Sequence, residues 1–221
     1  MSKKSTVDFE ISPEEAANHP DPAIFNSKLK HLTEQGNKPI TEEQLLLQAA
    51  GKGDVAMATT LLQKGTDIET FDPSGWTPLL IAVTQHQTPM VQLLLEYGAE
   101  PDIKCNLGQR TPLHQASEAG YADIVELLLT HKANPNLFNS NKRRPLVSAA
   151  AEGHLEVVKM LLDHGAWPQA KEDPHSPLNW AKRHGHEDIV RVLEPLCEKG
   201  AKEIGKRNDQ SLSKSRRCVI Q

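Results

Sequence analysis

The chain has 221 residues, of which 38% are hydrophobic, and its formal net charge at pH 7 is −4. This length accommodates one domain with tails, and the acidic balance argues against a nucleic-acid-binding protein, which needs a basic surface. The three cysteines (Cys105, Cys197 and Cys218) are an odd number without paired spacing. They argue against a disulfide framework and favour a reducing compartment.

Residues 1–40 are predicted to be an N-terminal extension with one capping helix. Phe25, Leu29 and Leu32 recur at i, i+4 and i+7, the spacing of one helix face. We expect this helix to cover the outer apolar face of the domain that follows; the alternative is that the segment recruits a further partner. The first residues lack the apolar region of a secretory signal, and Ser2 stands where N-myristoylation requires glycine, so neither feature is expected.

A helix–turn–helix pattern repeats from residue 41 onward. The dipeptide Pro-Leu recurs at separations of 34, 33 and 32 residues, at positions 78–79, 112–113, 145–146 and 177–178. The clearest copy, residues 111–133, combines a short helix, a turn at Gly120 and a second helix. That second helix carries the apolar residues Ile124, Val125, Leu127, Leu128 and Leu129. Because neither helix alone can bury its apolar face, the copies must stack side by side.

The hexapeptide from Thr111 to Ala116, Thr-Pro-Leu-His-Gln-Ala, recurs in related forms at this regular spacing and resembles the signature of the ankyrin-repeat family. The resemblance covers roughly residues 41–204 and implies an all-α ankyrin-repeat solenoid of about five helix-turn-helix units. The predicted repeats are residues 41–71, 72–105, 106–138, 139–170 and 171–204. The resemblance also implies binding to another protein, and we expect a monomer that binds no nucleic acid.

Four residues within the repeats predict local backbone features. Thr41 and Gln44 are spaced as a capping box at the start of the first helix. Lys132 occupies the helix C-terminal position at which the other repeats have glycine, which indicates a local strain of ~1 kcal/mol or less. Pro195 lies inside the last predicted helix and is expected to bend or end it, as suits a C-terminal cap.

Residues 205–221 are predicted to be a basic flexible tail, because they show no hydrophobic period. The basic side chains that we expect to contact an anionic membrane surface are Lys206, Arg207, Lys214, Arg216 and Arg217. Ser211, Ser213 and Ser215 lie among these charges. Their phosphorylation would cancel the attraction, and the alternative is that they are ordinary linker serines.

The last four residues of the sequence, Cys218-Val-Ile-Gln, match the C-a-a-X motif, and a final Gln is typical of farnesylation. We therefore predict that protein farnesyltransferase modifies Cys218; the farnesyl group is a covalent modification and no cofactor is expected. One lipid chain binds a membrane only marginally, and each nearby basic residue adds about 1 kcal/mol, so lipid and charge together predict stable attachment. The alternative is a chance tetrapeptide.

In ankyrin-repeat proteins the loops between repeats and the outward residues of the first helices usually bind the protein partner. Carried over by position, the resemblance assigns this role to Trp76, Thr84, Gln85, Arg110, Glu118, Arg143, Glu152, His175, Arg183 and His184. Trp76 is expected to be an exposed anchor, and the alternative is packing against the neighbouring loop. Arg110, Arg143 and Arg183 are expected either to form a basic stripe that favours an acidic partner or to be solvated loop charges.

No catalytic residue and no metal site are predicted. His184 and His186 have no further ligand at zinc spacing, and the sequence contains no Cys-x-x-Cys pair, phosphate-binding loop or nucleophile elbow. By the resemblance, His154 and His186 occupy positions that form loop hydrogen bonds. His114 is the histidine of the repeat signature.

Together these features predict a non-catalytic protein-binding adaptor or scaffold, held at the cytosolic face of a membrane by a farnesylated C-terminus. The layout resembles that of some bacterial effectors that act in a eukaryotic host, with an endogenous eukaryotic scaffold as the alternative origin. A second hypothesis is a soluble ankyrin-repeat inhibitor or regulator of a protein partner, without a lipid anchor.

Overall fold

The structure is a computed structural model that describes residues 40–105, 108–168 and 173–197. In these ranges the regular structure is entirely helical, and ten helices follow one another in pairs. They are α1 (Glu42–Lys52), α2 (Val55–Gln63), α3 (Pro78–Thr84), α4 (Thr88–Glu96), α5 (Pro112–Ala119), α6 (Ala122–Thr130), α7 (Pro145–Glu152), α8 (Leu155–Asp163), α9 (Pro177–His184) and α10 (residues 187–197).

The helix pairs stack in chain order. The first helices contact one another in the series α1, α3, α5, α7 and α9, and the second helices contact one another in the series α2, α4, α6 and α8. Within the described part of the chain this gives two layers of short helices, each pair touching its neighbours. The predicted all-α solenoid of helix-turn-helix units is confirmed.

A continuous apolar core lies between the layers. Each first helix after α1 buries the leucine that follows its proline and the alanine three residues later, namely Leu79, Ala82, Leu113, Ala116, Leu146, Ala149, Leu178 and Ala181. In α6 the predicted set Ile124, Val125, Leu128 and Leu129 is buried, while Leu127 is only partly buried. This pattern follows from 3.6 residues per turn, which places these side chains on one stripe of the helix.

Polar side chains fix where the first helices begin. Thr111 Oγ1 accepts a hydrogen bond from His114 N, and Thr77 and Ser176 form the same bond one repeat earlier and two repeats later. The predicted capping box is confirmed, since Thr41 Oγ1 accepts from Gln44 N at 3.3 Å while Gln44 Oε1 accepts from Thr41 N at 3.2 Å. These bonds satisfy amide groups that have no partner within the helix.

Hydrogen bonds also join one repeat to the next in the connecting loops. A side-chain oxygen of each loop accepts from a backbone N–H of the following loop, in the pairs Glu69 with Glu100 at 2.7 Å, Asp102 with Asn134 at 3.0 Å and Asn136 with Trp167 at 2.9 Å. Burial raises the pKa of the Asp102 carboxyl, although the bond from Asn134 opposes that shift. The loops therefore stack in the same register as the helices.

Two backbone expectations have different outcomes. Lys132 adopts a φ of 67°, in the left-handed region that favours glycine, in agreement with the predicted strain. Pro195 was expected to bend or end its helix, and the helix does not end there, because the chain stays helical through Pro195 as far as Cys197. Leu193 and Cys197 are both buried there, and this packing offsets the hydrogen bond that proline removes. The predicted capping helix before residue 40 and the tail after residue 204 lie outside the described residues.

Candidate functional site

Because the repeats share one pattern, equivalent side chains can be identified by the number of residues that separate them from the proline of the Pro-Leu dipeptide. Two residues before the proline stand Trp76, Arg110, Arg143 and His175, each in a loop that leads into a first helix. Six residues after the proline stand Thr84, Glu118, Ala151 and Arg183, in the last turn of each first helix. We call these positions, together with Gln85, Glu152 and His184, the groove face. It contains every predicted partner-binding residue.

Trp76 is half-buried, not the exposed loop residue that we expected. Its backbone closes a tight turn with Asp72, whose Oδ1 accepts from Trp76 N at 2.8 Å and from Ser74 N at 2.9 Å. The exposed tryptophan is Trp167, with 62% of its surface accessible. Sequence position alone did not separate these two residues, because both lie in loops.

Arg110 is paired within its own repeat. Its guanidinium forms an ion pair with Glu118 Oε2, while burial lowers the pKa of the Arg110 side chain. Arg110 Nε is also buried, with no hydrogen-bond partner among the described residues. The predicted basic stripe is therefore interrupted at its first member, because Glu118 neutralises Arg110.

Arg143 and Arg183 are brought together by Trp180, a residue that the sequence analysis did not select. The Arg143 Cζ lies 4.1 Å from the centre of the Trp180 ring, and the Arg183 Cζ lies 5.6 Å from it. The His184 ring meets the same indole edge-on, with ring centres 5.6 Å apart. The spacing of Trp180 and Arg183, three residues apart on α9, is a signal that could have identified this contact.

The other predicted partner-binding residues remain accessible. Gln85, Glu152 and His175 are exposed, and so is Arg183. Gln85 and Glu152 lie at or beside the C-terminal ends of their helices, and His175 lies in the turn before α9, where its N–H donates to Asp173 Oδ1 at 2.9 Å. The structure thus spreads these side chains over several repeats.

The signature histidine of the third repeat has a structural role. His114 is fully buried, and burial lowers its pKa to about 4. In the neutral ring Nε2–H donates to the Arg143 carbonyl oxygen at 3.0 Å, and Nδ1 accepts from the Thr111 hydroxyl at 2.8 Å. Arg143 is consequently held from two directions, its carbonyl by His114 and its guanidinium by Trp180.

The predicted loop hydrogen bonds of His154 and His186 are confirmed. His154 Nε2 lies 3.0 Å from the carbonyl oxygen of Glu118, and His186 Nε2 lies at the same distance from that of Ala151. Both bonds therefore cross from one repeat to the previous one. The described ranges contain no group of three or more His, Cys, Asp and Glu residues arranged to hold a metal ion.

A further polar cluster joins the second and third repeats. The His86 ring stacks on Tyr121 with ring centres 3.9 Å apart, and His86 Nε2 lies 3.1 Å from Asp123 Oδ1. The Thr88 hydroxyl donates to the other carboxylate oxygen. Burial raises the pKa of Asp123, but the bonds from Thr88 and His86 outweigh it, so the net pKa lies below its ordinary value. This cluster stabilises the stacking of the two repeats.

The predicted lipidation site Cys218 and the predicted membrane-contacting residues Lys206, Arg207, Lys214, Arg216 and Arg217 lie outside the described residues. Among the helices of residues 40–105, 108–168 and 173–197, none has the length and apolar character that crossing a membrane requires.

Comparison with known proteins agrees with the repeat register. The family model described as "Ankyrin repeats (3 copies)" matches residues 15–105, 46–139 and 113–208. The chain is 32% identical over 160 residues to the probable E3 ubiquitin-protein ligase XBOS34 of Oryza sativa subsp. japonica, a match that covers 70% of this chain and 24% of that protein.

Two further relatives come from different groups of organisms. The putative ankyrin repeat protein FPV024 of fowlpox virus is 32% identical over 96 residues, 43% of this chain and 16% of the viral protein. The ankyrin repeat and SOCS box protein 11 of Danio rerio is 39% identical over 95 residues, 43% of this chain and 32% of that protein. The chain thus spans less than a third of each of these relatives. With the family model, the repeat spacing and the stacked helix pairs in agreement, this chain belongs to the ankyrin-repeat family.

Proposed function

We propose that this protein is a non-catalytic adaptor that binds a protein partner on its groove face and is tethered to a membrane through Cys218. Ankyrin repeats serve protein–protein interaction, and the observation that supports this role here is the composition of the groove face. Gln85, Glu152, His175 and Arg183 are exposed on loops and helix ends that a buried core holds in place. Exposed polar and charged side chains on a rigid scaffold suit recognition of another protein.

The membrane tether is supported by the sequence from Lys206 to Gln221. Cys218-Val-Ile-Gln has the residue pattern of a farnesylation site, and basic side chains precede it. A lipid chain and a basic segment together supply the two signals that stable anchoring needs. The linker of about a dozen residues that the sequence predicts would have a reach of roughly 20 Å, so a bound partner would be held close to the bilayer at its cytosolic face.

The tether is tested by mass spectrometry of the C-terminus from eukaryotic cells. A farnesyl adduct on Cys218 with residues 219–221 removed supports the proposal, and an intact C-terminus refutes it in favour of the soluble regulator. The Cys218→Ser variant should move to the soluble fraction. The Gln221→Leu variant is the matched control, because a final Leu directs geranylgeranylation and should keep the protein on membranes.

The groove face is tested by site-specific photo-cross-linking in cells. A photoreactive amino acid at Gln85 or Glu152 should give cross-links to a partner protein. The same amino acid at Glu126 or Lys159, which are exposed on the second helices α6 and α8, is the control and should give none. Equal cross-linking from both pairs would show that the groove face is not the binding surface.

The location of the protein and the identity of the partner are then measured together. Proximity labelling with the wild type should mark proteins at a membrane, and Cys218→Ser should lose those proteins while it keeps the partner that the groove face binds. If Cys218→Ser labels the same proteins as the wild type, the membrane proposal is refuted, whereas the proposal of protein binding still stands.

A further inference from the structure

We propose that Arg143, Trp180 and Arg183 form a seat for a carboxylate side chain of an acidic protein segment. This inference rests on the proposed protein-binding function and names the chemistry of the partner. The three residues belong to two successive repeats, and we call them the carboxylate seat. The seat lies at the C-terminal end of the groove face.

The charge of the groove face reverses along the repeats. Six residues after the repeat proline the third repeat has Glu118, the fourth has Ala151 and the fifth has Arg183. Two residues before the proline, Arg110 and Arg143 occupy equivalent positions in the third and fourth repeats. In the third repeat, Glu118 can therefore pair with Arg110 of the same repeat. In the fourth repeat the equivalent of Glu118 is an uncharged alanine, and in the fifth it is a second cation, Arg183.

This difference leaves two cations beside one aromatic ring. Both guanidinium carbons lie within 6 Å of the centre of the Trp180 ring, at 4.1 Å for Arg143 and 5.6 Å for Arg183. Neither arginine forms an ion pair within residues 40–105, 108–168 and 173–197. The face of an aromatic ring orients a guanidinium but does not neutralise it, so an external anion remains favourable.

Trp180 adds an unsatisfied donor to the same place. Its Nε1–H is buried and has no hydrogen-bond partner in the described part of the chain. A buried donor without a partner is unfavourable, because it has lost its hydrogen bond to water. The two guanidinium groups are therefore the donors that a carboxylate would meet at the seat, and its two oxygens match the geometry of the guanidinium fork.

The surface beside the seat is open to a chain segment. Pro174, Asn179, Lys182 and Arg183 line an open pocket of about 480 Å³. Lys182 is already paired, because its Nζ lies 2.8 Å from Glu194 Oε1. Arg183 is therefore the cation that this pocket offers to an incoming acid, and Arg143 contacts the same Trp180 ring.

The test uses the indole resonances of the full-length protein labelled with ¹⁵N. The chain has three tryptophans, and Trp180→Phe assigns the Trp180 signal. The probe is a blocked peptide of alternating Glu and Gly, and the matched control peptide has Gln in place of Glu. We expect the Glu peptide to shift the Trp180 indole signal saturably and the Gln peptide to leave it unchanged.

Substitutions of arginines at equivalent repeat positions distinguish binding at the carboxylate seat from general electrostatic attraction of the acidic peptide. Arg143→Gln and Arg183→Gln should each weaken binding of the Glu peptide about tenfold, the loss expected for a charge-assisted hydrogen bond. Arg110→Gln removes the same charge from the equivalent position of the third repeat and should change the affinity less than about twofold, since Glu118 already pairs with Arg110. Circular dichroism checks that each variant is folded. Because Arg183 is exposed, its substitution is the least expected to disturb the fold.

Three results would overturn the proposal. They are an unmoved Trp180 signal, an equal response to the Gln peptide, and an equal loss in all three arginine variants. If a phosphoserine peptide binds more tightly than the Glu peptide, the ligand of the seat is a phosphate group and not a carboxylate. Photo-cross-linking from Gln85 and Glu152 that persists in Arg183→Gln would show that the proposed function stands even if the seat fails.

Discussion

The imidazole of His154 lies directly against Gly120 of the preceding repeat, so that a Cβ on Gly120 would lie 2.5 Å from its Nδ1. Gly120 also has a φ of +77°, a backbone angle that residues other than glycine rarely adopt. The same arrangement joins His186 to Gly153 one repeat later, where the Cβ would lie 2.6 Å from the ring. The turn glycine thus serves two purposes, backbone freedom and space for the next repeat's histidine.

Gly120→Ala should destabilise the protein more than Gly98→Ala does. Both glycines have positive φ, but a Cβ on Gly98 would meet nothing within 4 Å. Gly98→Ala should cost about 1 kcal/mol from backbone strain alone, and Gly120→Ala should cost about 1 kcal/mol or more beyond that. The measurement is the urea midpoint of unfolding. The double variant Gly120→Ala with His154→Ala should recover the extra loss, and equal losses in the two single variants would contradict the role of His154.

The stability of the protein should fall on acidification because of His114. Its pKa is about 4 in the folded chain against an ordinary value of 6.5, so the unfolded chain binds a proton that the folded chain does not. The contribution is complete above pH 6.5 and is lost progressively as the pH falls from 6.5 to 4. Between pH 7 and pH 5 the free energy of unfolding should drop by about 2 kcal/mol through this residue.

Urea titrations at these two pH values measure the effect of His114. The variant His114→Gln should lose that part of the pH dependence, whatever its stability at pH 7. The control His175→Gln, at an exposed position, should keep it. If His114→Gln and the wild type show the same difference between pH 7 and pH 5, the buried histidine is not the cause.

Lys132→Gly should stabilise the protein. Lys132 has a φ of 67°, whereas Gly65, Gly98 and Gly165 hold the equivalent helix ends at positive φ without a Cβ. Removal of the side chain should add up to about 1 kcal/mol to the free energy of unfolding. Lys159→Gly is the matched control, because Lys159 lies inside α8 and loses about 1 kcal/mol of helix propensity there. Thermal unfolding should shift upward for the first variant and downward for the second.

The ion pair of Arg110 and Glu118 should be measurable as a coupling between the two residues. The side chains are 28% and 45% exposed, so the coupling energy should be modest, about 0.5–1 kcal/mol. A double-mutant cycle with Arg110→Gln and Glu118→Gln measures it, and the value should decrease at high salt. Simple additivity of the two single substitutions would show that the pair contributes nothing to stability.

Much of the fold was predictable from the sequence, because the same pattern of buried and turn residues recurs in several repeats. The period of the Pro-Leu dipeptide, the capping pair Thr41 and Gln44 and the apolar stripe of α6 all follow from local rules of helix geometry. The conformation of Lys132 was predictable for the same reason, since the other repeats place glycine there. By contrast, the local preference of Pro195 did not decide where its helix ends, because Leu193 and Cys197 are buried on both sides of it and the helix continues to Cys197.

The sequence by itself determined the family architecture and the order of the repeats, and it gave the position within each repeat of the residues that we assign to the groove face. Only the tertiary structure decided which of those residues act together. Arg110 and Arg143 occupy equivalent positions, but Glu118 neutralises the first while Trp180 of the next repeat holds the second. The physical reason is that side-chain partners on the groove face come from neighbouring helices and loops, so distance along the chain does not specify which charges meet.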